Sequence, residues 1–527
     1  MDNPQRQIAR AAGTVMAAFL LSNLVGLARQ ILISRAFGTG SDLDAFYVAQ
    51  RLPDILFNLA AGGALASAFV PTFTGFLTRG DREAAWRLAS SVMNLVFIVL
   101  CGAGLLAALL ASPLVRYVLA PGFIAGEQQA LTVAVLRILL IASVIFGVSG
   151  LLMGILNAHQ HFILPALAPT FYWLGMIFGL LVWVPRMGIH GLAWGAVLGS
   201  ALHLAIQLPG LRGLGARYWP GLGLRHPAVR DVIRLMGPRL IGAAAVQFNF
   251  LVSAALASFM LQGSVSALNY AWQIFTMPQI IIAQGISIAA LPTFSAMVAR
   301  EEINAMRASL ADTLRGILFL ALPATVGLLM LRVPVIALLF QRQSFDAEST
   351  ALVAWALAWF TLGLASHSVV EIVSRAYYAL RDTRTPVLVG VAAMGLNILL
   401  SFIFAWLFAR LGWRPHGGLA FSNTVATTLE MIGLLWILRR RLGGLAFTRI
   451  WPGLWRTAFA SLYMGLILML WLRYTHGRSV WMVGVGGVLA GGLAFWLVAH
   501  SLRTPEARLL PALLRERLSL KTRSAPE

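Results

Sequence analysis

Polar side chains recur at helical spacing inside one of the most apolar stretches of this chain. Ser22, Gly26 and Arg29 are four and three residues apart, so they share one face of a helix. Asn23 and Gln30 repeat that spacing one residue later. An arginine near a bilayer centre costs about 2.5 to 3.5 kcal/mol, so it normally faces a protein interior or a watery cavity. The stripe therefore predicts a helix face that looks inward, onto a cavity.

The composition indicates that membrane spans carry this stripe. Of 527 residues, 59% are hydrophobic and 11% are charged, and the mean hydropathy is +0.81. Globular domains carry about 25% charge, so a soluble enzyme is excluded. The net charge of +21 comes from arginine, since Lys521 is the only lysine. We interpret the excess as loops that face anionic lipid, and we expect no nucleic-acid partner.

Metal and disulfide chemistry find no support in the sequence. Cys101 is the single cysteine and lies in an apolar segment, which excludes a disulfide framework and a cysteine metal site. His159 and His161 lie in a short loop without a second ligand motif, so we expect no metal. The chain has no Walker motif, and therefore ATP is not the direct energy source.

Apolar stretches of about 20 residues predict an all-α polytopic membrane protein with fourteen transmembrane helices. The predicted spans lie near residues 14–36, 53–77, 89–112, 132–156, 163–184, 189–210, 238–260, 266–295, 312–332, 352–379, 387–410, 417–438, 455–473 and 479–501. The arginine-rich loops and the basic tail all fall on one side of these spans. By the positive-inside rule, both termini are expected in the cytoplasm.

The two halves of the chain repeat one another. Three landmarks of the first half recur at one offset of 221 residues, so that Pro71, Pro113 and Pro165 correspond to Pro292, Pro334 and Pro386. Spans one to six and seven to twelve therefore predict two six-helix lobes with the same topology. Such lobes are related by a pseudo-twofold axis along the membrane normal. Spans thirteen and fourteen lie outside the duplication.

The repeat and the loops divide the chain into five predicted parts. These are an N-lobe over residues 1–210, a cytoplasmic amphipathic linker over 211–237, a C-lobe over 238–440, two further helices over 441–502, and a basic cytoplasmic tail over 503–527. Leucines and arginines alternate in the tail in the manner of an amphipathic helix on the inner leaflet. A solvated tail is the alternative.

Short motifs follow one another across the N-terminal region. They are Gly26-x-x-Arg29, Ala36-Phe37-Gly38, Asp44-Ala45-Phe46, Leu52-Pro53, Gly63-Ala64 and the Ala68 to Pro71 stretch. This set resembles the signature of the MurJ (MviN) flippases for lipid II, within the superfamily of multidrug, oligosaccharidyl-lipid and polysaccharide exporters. In the second half, the matching segments are Met236 to Pro238, Gly263 to Ser266, and Tyr377 to Val387. The resemblance covers essentially the whole chain.

The resemblance implies a transporter without covalent chemistry, located in the bacterial cytoplasmic membrane. Two lobes would enclose a cationic cavity for the head group of lipid II, and the two extra helices would form a groove for its polyprenyl tail. Alternating access would move the lipid from the inner to the outer leaflet. Membrane lipids and cell-wall synthases are the implied partners. No cofactor is expected, and either the membrane potential or an ion gradient would drive transport.

The candidate substrate-binding residues are Arg29, Arg51, Arg239, Asn23 and Gln30. Arg239 lies near the end of a span and is expected to border the cavity from the inner side. Arg29 matches the cavity arginine of the family, with an ion pair to an interior carboxylate as the alternative. Arg51 stands where relatives carry a basic residue, but Asp54 lies three residues on and offers it a partner. Asn23 and Gln30 replace an arginine and an aspartate that are often found in this helix.

Four further residues are assigned gate or structural roles. Asp44 matches an aspartate at the outer end of the first helix pair and would repel a diphosphate, which favours a gate or a helix cap. Asp54 belongs to this group as the partner of Arg51. Glu371 and Arg375 are four residues apart and are expected to neutralise each other. We see no unpaired membrane carboxylate in the C-lobe that would carry an ion.

Several family charges are missing from this chain. Trp272, Gln273 and Thr276 replace an aspartate, an arginine and a glutamate, Phe57 and Asn58 replace a basic pair, and Gly62 replaces a glutamate. The cavity is thus less charged than in the best-known members. Two alternatives remain open, namely a flippase for another polyprenyl-diphosphate-linked oligosaccharide such as an O-antigen unit, and a scaffold that recruits cell-wall synthases without transport.

Overall fold

The computed structural model describes most of the chain. It covers the backbone of residues 4–60, 63–123 and 126–507, and the side chains of 15–59, 68–123, 126–237, 240 and 242–507. All regular structure in these ranges is helical, so the predicted all-α class is confirmed. Gly62, the side chain of Arg239, and the tail from residue 508 onward lie outside the described residues.

Nineteen α-helices fill the described part of the chain. In order they are α1 (Pro4–Phe37), α2 (Ser41–Ala60), α3 (Gly63–Thr78), α4 (Arg82–Leu109), α5 (Ala111–Leu114), α6 (Glu127–Ala158), α7 (Ile163–Phe178), α8 (Val184–Met187), α9 (Ile189–Ala205), α10 (Pro227–Ser258), α11 (Ser264–Gln279), α12 (Gly285–Ala299), α13 (Ile303–Phe340), α14 (Ala347–Thr361), α15 (Leu364–Ala379), α16 (Arg384–Arg410), α17 (His416–Arg441), α18 (Phe447–Tyr474) and α19 (Val480–Ser501). Short π-helical turns at Val115–Leu119, Gly179–Trp183 and Ile280–Gln284 continue α5, α7 and α11.

Eleven helical segments among the described residues are long and apolar enough to cross a membrane. The number rises to 13 if each of two bent pairs counts as one span. One pair is Ala347–Thr361 with Leu364–Ala379, bent by 46°. The chain is therefore a multi-pass membrane protein. The predicted second span, 53–77, is divided between α2 and α3, and α2 also begins 12 residues earlier than expected.

The contacts divide the chain into two compact units. Unit 1 comprises Met1–Ser266 with Arg342–Asp346, and unit 2 comprises Ala267–Gln341 with Ala347–Glu527. Helix α10 belongs to unit 1 because it packs on α2 and α3. It begins at Pro227, within the predicted linker. The two units are defined by contacts, whereas the two lobes were predicted from the sequence repeat. The lobe boundaries therefore stay a prediction.

Glycines allow helices α7 and α9 of unit 1 to pack closely against each other. An added Cβ on Gly175 of α7 would lie 2.3 Å from the Cα of Gly199 on α9. One turn along, a Cβ on Gly179 would lie 2.6 Å from the Cα of Gly195. With no hydrophobic drive between helices in lipid, such close backbone approach maximises van der Waals contact. This packing fixes α7, which carries aromatic residues of the candidate site.

Unit 2 has its core where α12, α13, α15 and α17 meet. Tyr377 of α15 is fully buried there, and its hydroxyl donates a 2.8 Å hydrogen bond to the Leu434 carbonyl of α17. A second cluster joins α18 and α19 to α13, with Phe319 against Phe495. Gly487 of α19 lies against Leu331 of α13. The two helices outside the sequence repeat are thus packed on the second unit.

The glycine contact leads to the first prediction. Gly175→Ala places a methyl group on the backbone of α9, and such overpacking costs about 1 to 3 kcal/mol. We expect a lower unfolding temperature of the purified protein in detergent. Gly102→Ala in α4 is the control, because its Cβ meets nothing within 4 Å and alanine favours a helix. Equal melting of both variants would contradict the packing account.

Candidate functional site

Arg29 lies against an aromatic wall in unit 1. Its guanidinium carbon is 4.1 Å from the centre of the Trp173 ring, a cation–π distance. One terminal nitrogen donates to the Gln30 side-chain oxygen at 2.9 Å, and the other lies 3.6 Å from the Met176 sulfur. Gly26 allows this approach, since an added Cβ would lie 3.3 Å from the Trp173 ring nitrogen. These contacts orient the guanidinium and add no opposite charge.

Two further predicted residues, Gln30 of α1 and Arg51 of α2, also contact aromatic side chains. Gln30 is only 1% exposed, and its amide donates a 2.9 Å hydrogen bond to the Tyr47 hydroxyl of α2. The amide therefore links α1 to α2 while its oxygen holds Arg29. Arg51, one turn beyond Tyr47, places its guanidinium 5.6 Å from the Phe250 ring of α10. Both arginines thus lie over aromatic rings contributed by other helices.

A cavity of about 190 Å³ lies beside Trp173. Its polar lining comes mainly from Gln50, Asp54, Ser143 and Tyr172, and its apolar lining includes Phe57 and Phe146. Tyr172, which lines the cavity together with Asp54, is the chain neighbour of Trp173, on which Arg29 stacks. The structure thus brings the predicted residues Arg29 and Asp54 to one region of unit 1.

A buried hydrogen-bond network supports the far wall of this cavity. The Ser149 oxygen of α6 lies 2.6 Å from Nδ1 of His203 on α9, and the Gln207 amide donates to the same oxygen at 2.8 Å. The Ser149 hydroxyl thus joins His203 to Gln207. The His203 ring packs edge-on against Phe146 with centroids 5.2 Å apart. The network therefore fixes an aromatic residue that lines the cavity.

Asp44 caps the start of helix α11. Its two carboxylate oxygens accept the backbone N–H groups of Gly263 and Ser266, each at 2.7 Å, and its side chain is 2% exposed. The Ser266 hydroxyl closes the same turn by donating to the Gly263 carbonyl at 3.1 Å. Carboxylates satisfy orphan amides at helix N-termini and complement the helix dipole. The structure thus places Asp44 in a helix-cap contact.

The remaining predicted positions are more widely distributed. Asn23 is exposed and donates to the Phe19 carbonyl of its own helix at 2.9 Å. Glu371 and Arg375 form an ion pair at 2.6 Å on α15, and Ser287 also contacts the Glu371 carboxylate at 3.4 Å. Arg239 falls on a side chain outside the described residues. The substrate roles of these residues stay predictions.

The expectation that the C-lobe has no unpaired carboxylate within its spans is wrong. Glu430 lies near the middle of α17, and it makes no hydrogen bond or ion pair within the part of the chain that the structure describes. Its carboxylate lies against Gly390 of α16, where an added Cβ would be 3.3 Å from the oxygen. Pairing depends on which residues the neighbouring helices present, and a single sequence does not give those neighbours.

The uncharged residues of the site cannot be recognised from the sequence alone. Trp173, Met176, Tyr47 and Phe250 carry no charge, and aromatic or thioether residues in a membrane helix give no signal above the hydrophobic background. Their role depends on contacts with other helices.

Among the described residues, no three His, Cys, Asp or Glu side chains cluster as metal ligands.

Comparison with known proteins decides the family. The family profile described as "Lipid II flippase MurJ" matches residues 33–498. The chain belongs to the MurJ family. It is 32% identical over 442 residues to the lipid II flippase MurJ of Burkholderia cenocepacia, covering 82% of this chain and 84% of that protein. It is also 32% identical to the probable lipid II flippase MurJ of Rhizobium tropici over 438 residues, or 81% and 80% of the two chains.

Solved structures agree on the fold of this MurJ-family chain. A lipid II flippase MurJ in an inward closed conformation superposes with a TM-score of 0.79 at 24% identity, over 92% of this chain and 97% of that chain. An inward-facing multidrug resistance transporter of the MATE family superposes with a TM-score of 0.67 at 17% identity, over 83% and 99%. The chain therefore shares its fold with both of these proteins.

Asp382, in the second half of the chain, also caps a helix. Asp382 precedes α16 and accepts the backbone N–H groups of Arg384 and Thr385 at 3.0 Å and the Thr385 hydroxyl at 2.7 Å. It also pairs with Arg441 at the end of α17. Burial opposes its ionisation, but the Thr385 hydrogen bonds and the Arg441 charge lower the pKa of Asp382 to about 2.

The Asp44 cap gives a prediction about local opening. Asp44→Ala leaves two amides at the start of α11 without their acceptor, at a cost of about 2 to 4 kcal/mol. We expect faster hydrogen exchange in the peptide that contains Gly263 and Ser266, together with a lower unfolding temperature. Asp42→Ala is the matched control, because that residue is exposed on the same turn. Unchanged exchange at these amides would show that Asp44 does not hold the helix start.

The Asp382 cap gives a prediction about pH. Its pKa lies below the ordinary value of 3.8, so the stabilisation is complete above about pH 4 and is lost as the pH falls towards 2. Asp382→Asn should therefore melt at a lower temperature than the wild type at pH 7, and the difference should shrink below pH 4. Glu302→Gln, at a helix start without a side-chain cap bond, should follow the wild type. A difference that does not change with pH would exclude the charge as its source.

Proposed function

We propose that this MurJ-family chain moves lipid II from the inner to the outer leaflet by alternating access, with Arg29 holding the diphosphate. The observation that carries this proposal is the placement of Arg29 over Trp173, beside a cavity lined by Asp54 and Tyr172. A charged guanidinium at such a position suits an anionic substrate that must cross an apolar interior.

The contacts of Arg29 suit a site that must bind and release. Trp173 stacks on the face of the guanidinium, and Gln30 holds one edge. Stacking leaves edge N–H groups in the plane where a phosphate oxygen approaches. A preoriented guanidinium loses little entropy when it binds a phosphate oxygen. Arg51 is proposed to assist from α2, and Arg239 from the inner side.

We propose fourteen spans for this fold, arranged as two six-helix lobes and two C-terminal helices. Helix α2 has the length of a span with 20 residues, although its charges lower its hydropathy. Counting it in addition to the 13 segments reaches fourteen. The arginines that end α17 and those before α4 support cytoplasmic loops on one side, with both termini on that side. In this arrangement Asp44 lies at the opposite side, and its contact with the start of α11 would close the site there.

No covalent step is needed for this activity, since the substrate changes leaflet and not structure. The membrane potential acts on a carried charge with about 2.3 kcal/mol per charge per 100 mV, and an interior-negative potential drives an anion outward. An ion gradient is the other candidate source, with the ion unknown. Glu430 is a carboxylate near the middle of α17 that a coupling ion could bind. The expected lack of such a carboxylate in the C-lobe therefore no longer argues against ion coupling.

The two C-terminal helices are proposed to hold the polyprenyl tail. Gly484 and Gly487 of α19 pack closely on α13, which leaves the large apolar side chains of α18 and α19 on the outside. Such a surface suits a long hydrocarbon chain that stays in the membrane while the head group crosses. Cell-wall synthases that use lipid II are proposed as partners at the outer side.

Complementation tests the function. A bacterium depleted of its own lipid II flippase should grow with the wild-type chain, and lipid II should become accessible on the outer leaflet. Arg29→Ala should abolish both, because the loss of a charge-assisted hydrogen bond pair costs about 3 kcal/mol or more. Arg29→Lys keeps the charge but not the planar fork, so we expect partial activity.

Arg137→Ala is the matched control, because Arg137 is an exposed arginine of unit 1 that donates to the Ala108 carbonyl. It should complement as the wild type does when expression is equal. Rescue by Arg29→Ala would remove Arg29 from the mechanism. Failure of the correctly inserted wild type would favour a different polyprenyl-linked sugar or a scaffold without transport.

A further inference from the structure

The segment between α9 and α10 is fastened to α4 by side chains. Asn94 donates to the carbonyls of Trp219 and Gly221 at 3.2 and 3.0 Å, and it accepts the Tyr218 hydroxyl at 2.8 Å. The Trp219 N–H donates to the Ser90 hydroxyl at 3.1 Å. A loop held by so many bonds has a defined shape. It forms one wall of a pocket at the arginine-rich end of unit 1.

This pocket has a volume of about 370 Å³ and shares no lining residue with the cavity beside Trp173. Its polar lining comes from Arg87, Ser91, Trp219 and His226, and no carboxylate lines it. The Arg87 guanidinium lies 4.4 Å from the centre of the Trp219 ring, which holds the charge at the pocket wall. Glu83 occupies only one terminal nitrogen of that guanidinium, at 2.5 Å on the exposed side. The lining is therefore rich in hydrogen-bond donors.

Two of these donors have no partner among the described residues. Ser91 is only 8% exposed, and its hydroxyl makes no hydrogen bond although most helical serines bond to their own helix. The Trp219 ring nitrogen is buried and also unsatisfied. A buried donor without an acceptor costs about 1 to 3 kcal/mol. The buried Trp219 nitrogen therefore favours an occupant that brings acceptor oxygens, and the Ser91 hydroxyl can donate a second hydrogen bond to it.

Helix α10 adds a positive end to the same pocket. It begins at Pro227 and is 32 residues long, and His226 at its cap position makes no side-chain cap bond. Val229 in its first turn lines the pocket. Helix N-termini carry a partial positive charge and unpaired N–H groups, and they favour anions such as phosphate.

We propose that this pocket binds a phosphate group, presented either by an anionic lipid head group or by a soluble phosphate ester. Arg87 supplies the charge, and Trp219 and Ser91 supply directed hydrogen bonds. Gly223 keeps the pocket open, because its φ is +58° and an added Cβ would lie 2.5 Å from the Ser91 hydroxyl oxygen. The site does not depend on the proposed transport activity.

Native mass spectrometry of the full-length protein tests the proposal. Phosphatidylglycerol or phosphatidylcholine is titrated into the detergent-solubilised protein, and inorganic phosphate is added in a parallel series. We expect preferential binding of phosphatidylglycerol, weakened about tenfold or more by Arg87→Gln and about fivefold by Trp219→Phe, which keeps the ring but removes the N–H. Gly223→Ala should also weaken binding. Arg82→Gln, the same charge change at an exposed position of α4 outside the pocket, should bind as the wild type does.

The parallel series separates the two sources. Competition by inorganic phosphate supports recognition of the phosphate group itself, and binding of phosphate without phosphatidylglycerol supports a soluble ester. Equal weakening by Arg82→Gln and Arg87→Gln would overturn the proposal, since general surface charge would then explain the binding. Wild-type affinity in Trp219→Phe and Gly223→Ala would overturn it as well, even if Arg87→Gln failed to fold. Neither result depends on whether the protein transports lipid II.

Discussion

The structure depends on how a guanidinium is accommodated in an apolar helix. Arg29 cannot shed its charge, and its position far from either end of α1 excludes easy access to water. Its contacts include a ring face, a sulfur and an amide, all of which favour the cation. Those three groups come from α1 and α7. The close glycine packing of α7 on α9 is what brings Trp173 and Met176 within reach.

A related constraint explains why carboxylates recur at helix starts. The first N–H groups of a helix have no acceptor within the helix and must be satisfied by side chains or water. Asp44 accepts the Gly263 and Ser266 amides at the start of α11 from a different helix, and Asp382 accepts two amides of α16 while it pairs with Arg441. Both aspartates lie in motifs that sequence reasoning singled out. Their geometry is that of caps, so a motif aspartate in this family need not touch the substrate.

The sequence predicts the features that leave a periodic or a charged trace. The apolar stretches gave the all-α membrane class, the polar stripe placed Arg29 and Gln30 on one face, and the spacing of Glu371 and Arg375 gave their ion pair. It could not predict the division between α2 and α3, since charges in α2 interrupt the hydropathy signal. It also could not supply Trp173 or Phe250 as partners, nor the isolation of Glu430. Those depend on which residues other helices present, and neutral residues carry no distinctive spacing.

The missing family charges acquire a physical meaning in this arrangement. Gln30 stands where relatives often carry an aspartate, and it bridges Arg29 to Tyr47 without contributing a negative charge. An aspartate beside Arg29 would neutralise it and would compete with a diphosphate for the same N–H groups. With glutamine at position 30, the side chain that orients Arg29 adds no negative charge to the site. A reduced count of charges is therefore compatible with diphosphate binding, because the potential at the site depends on which partners surround each charge.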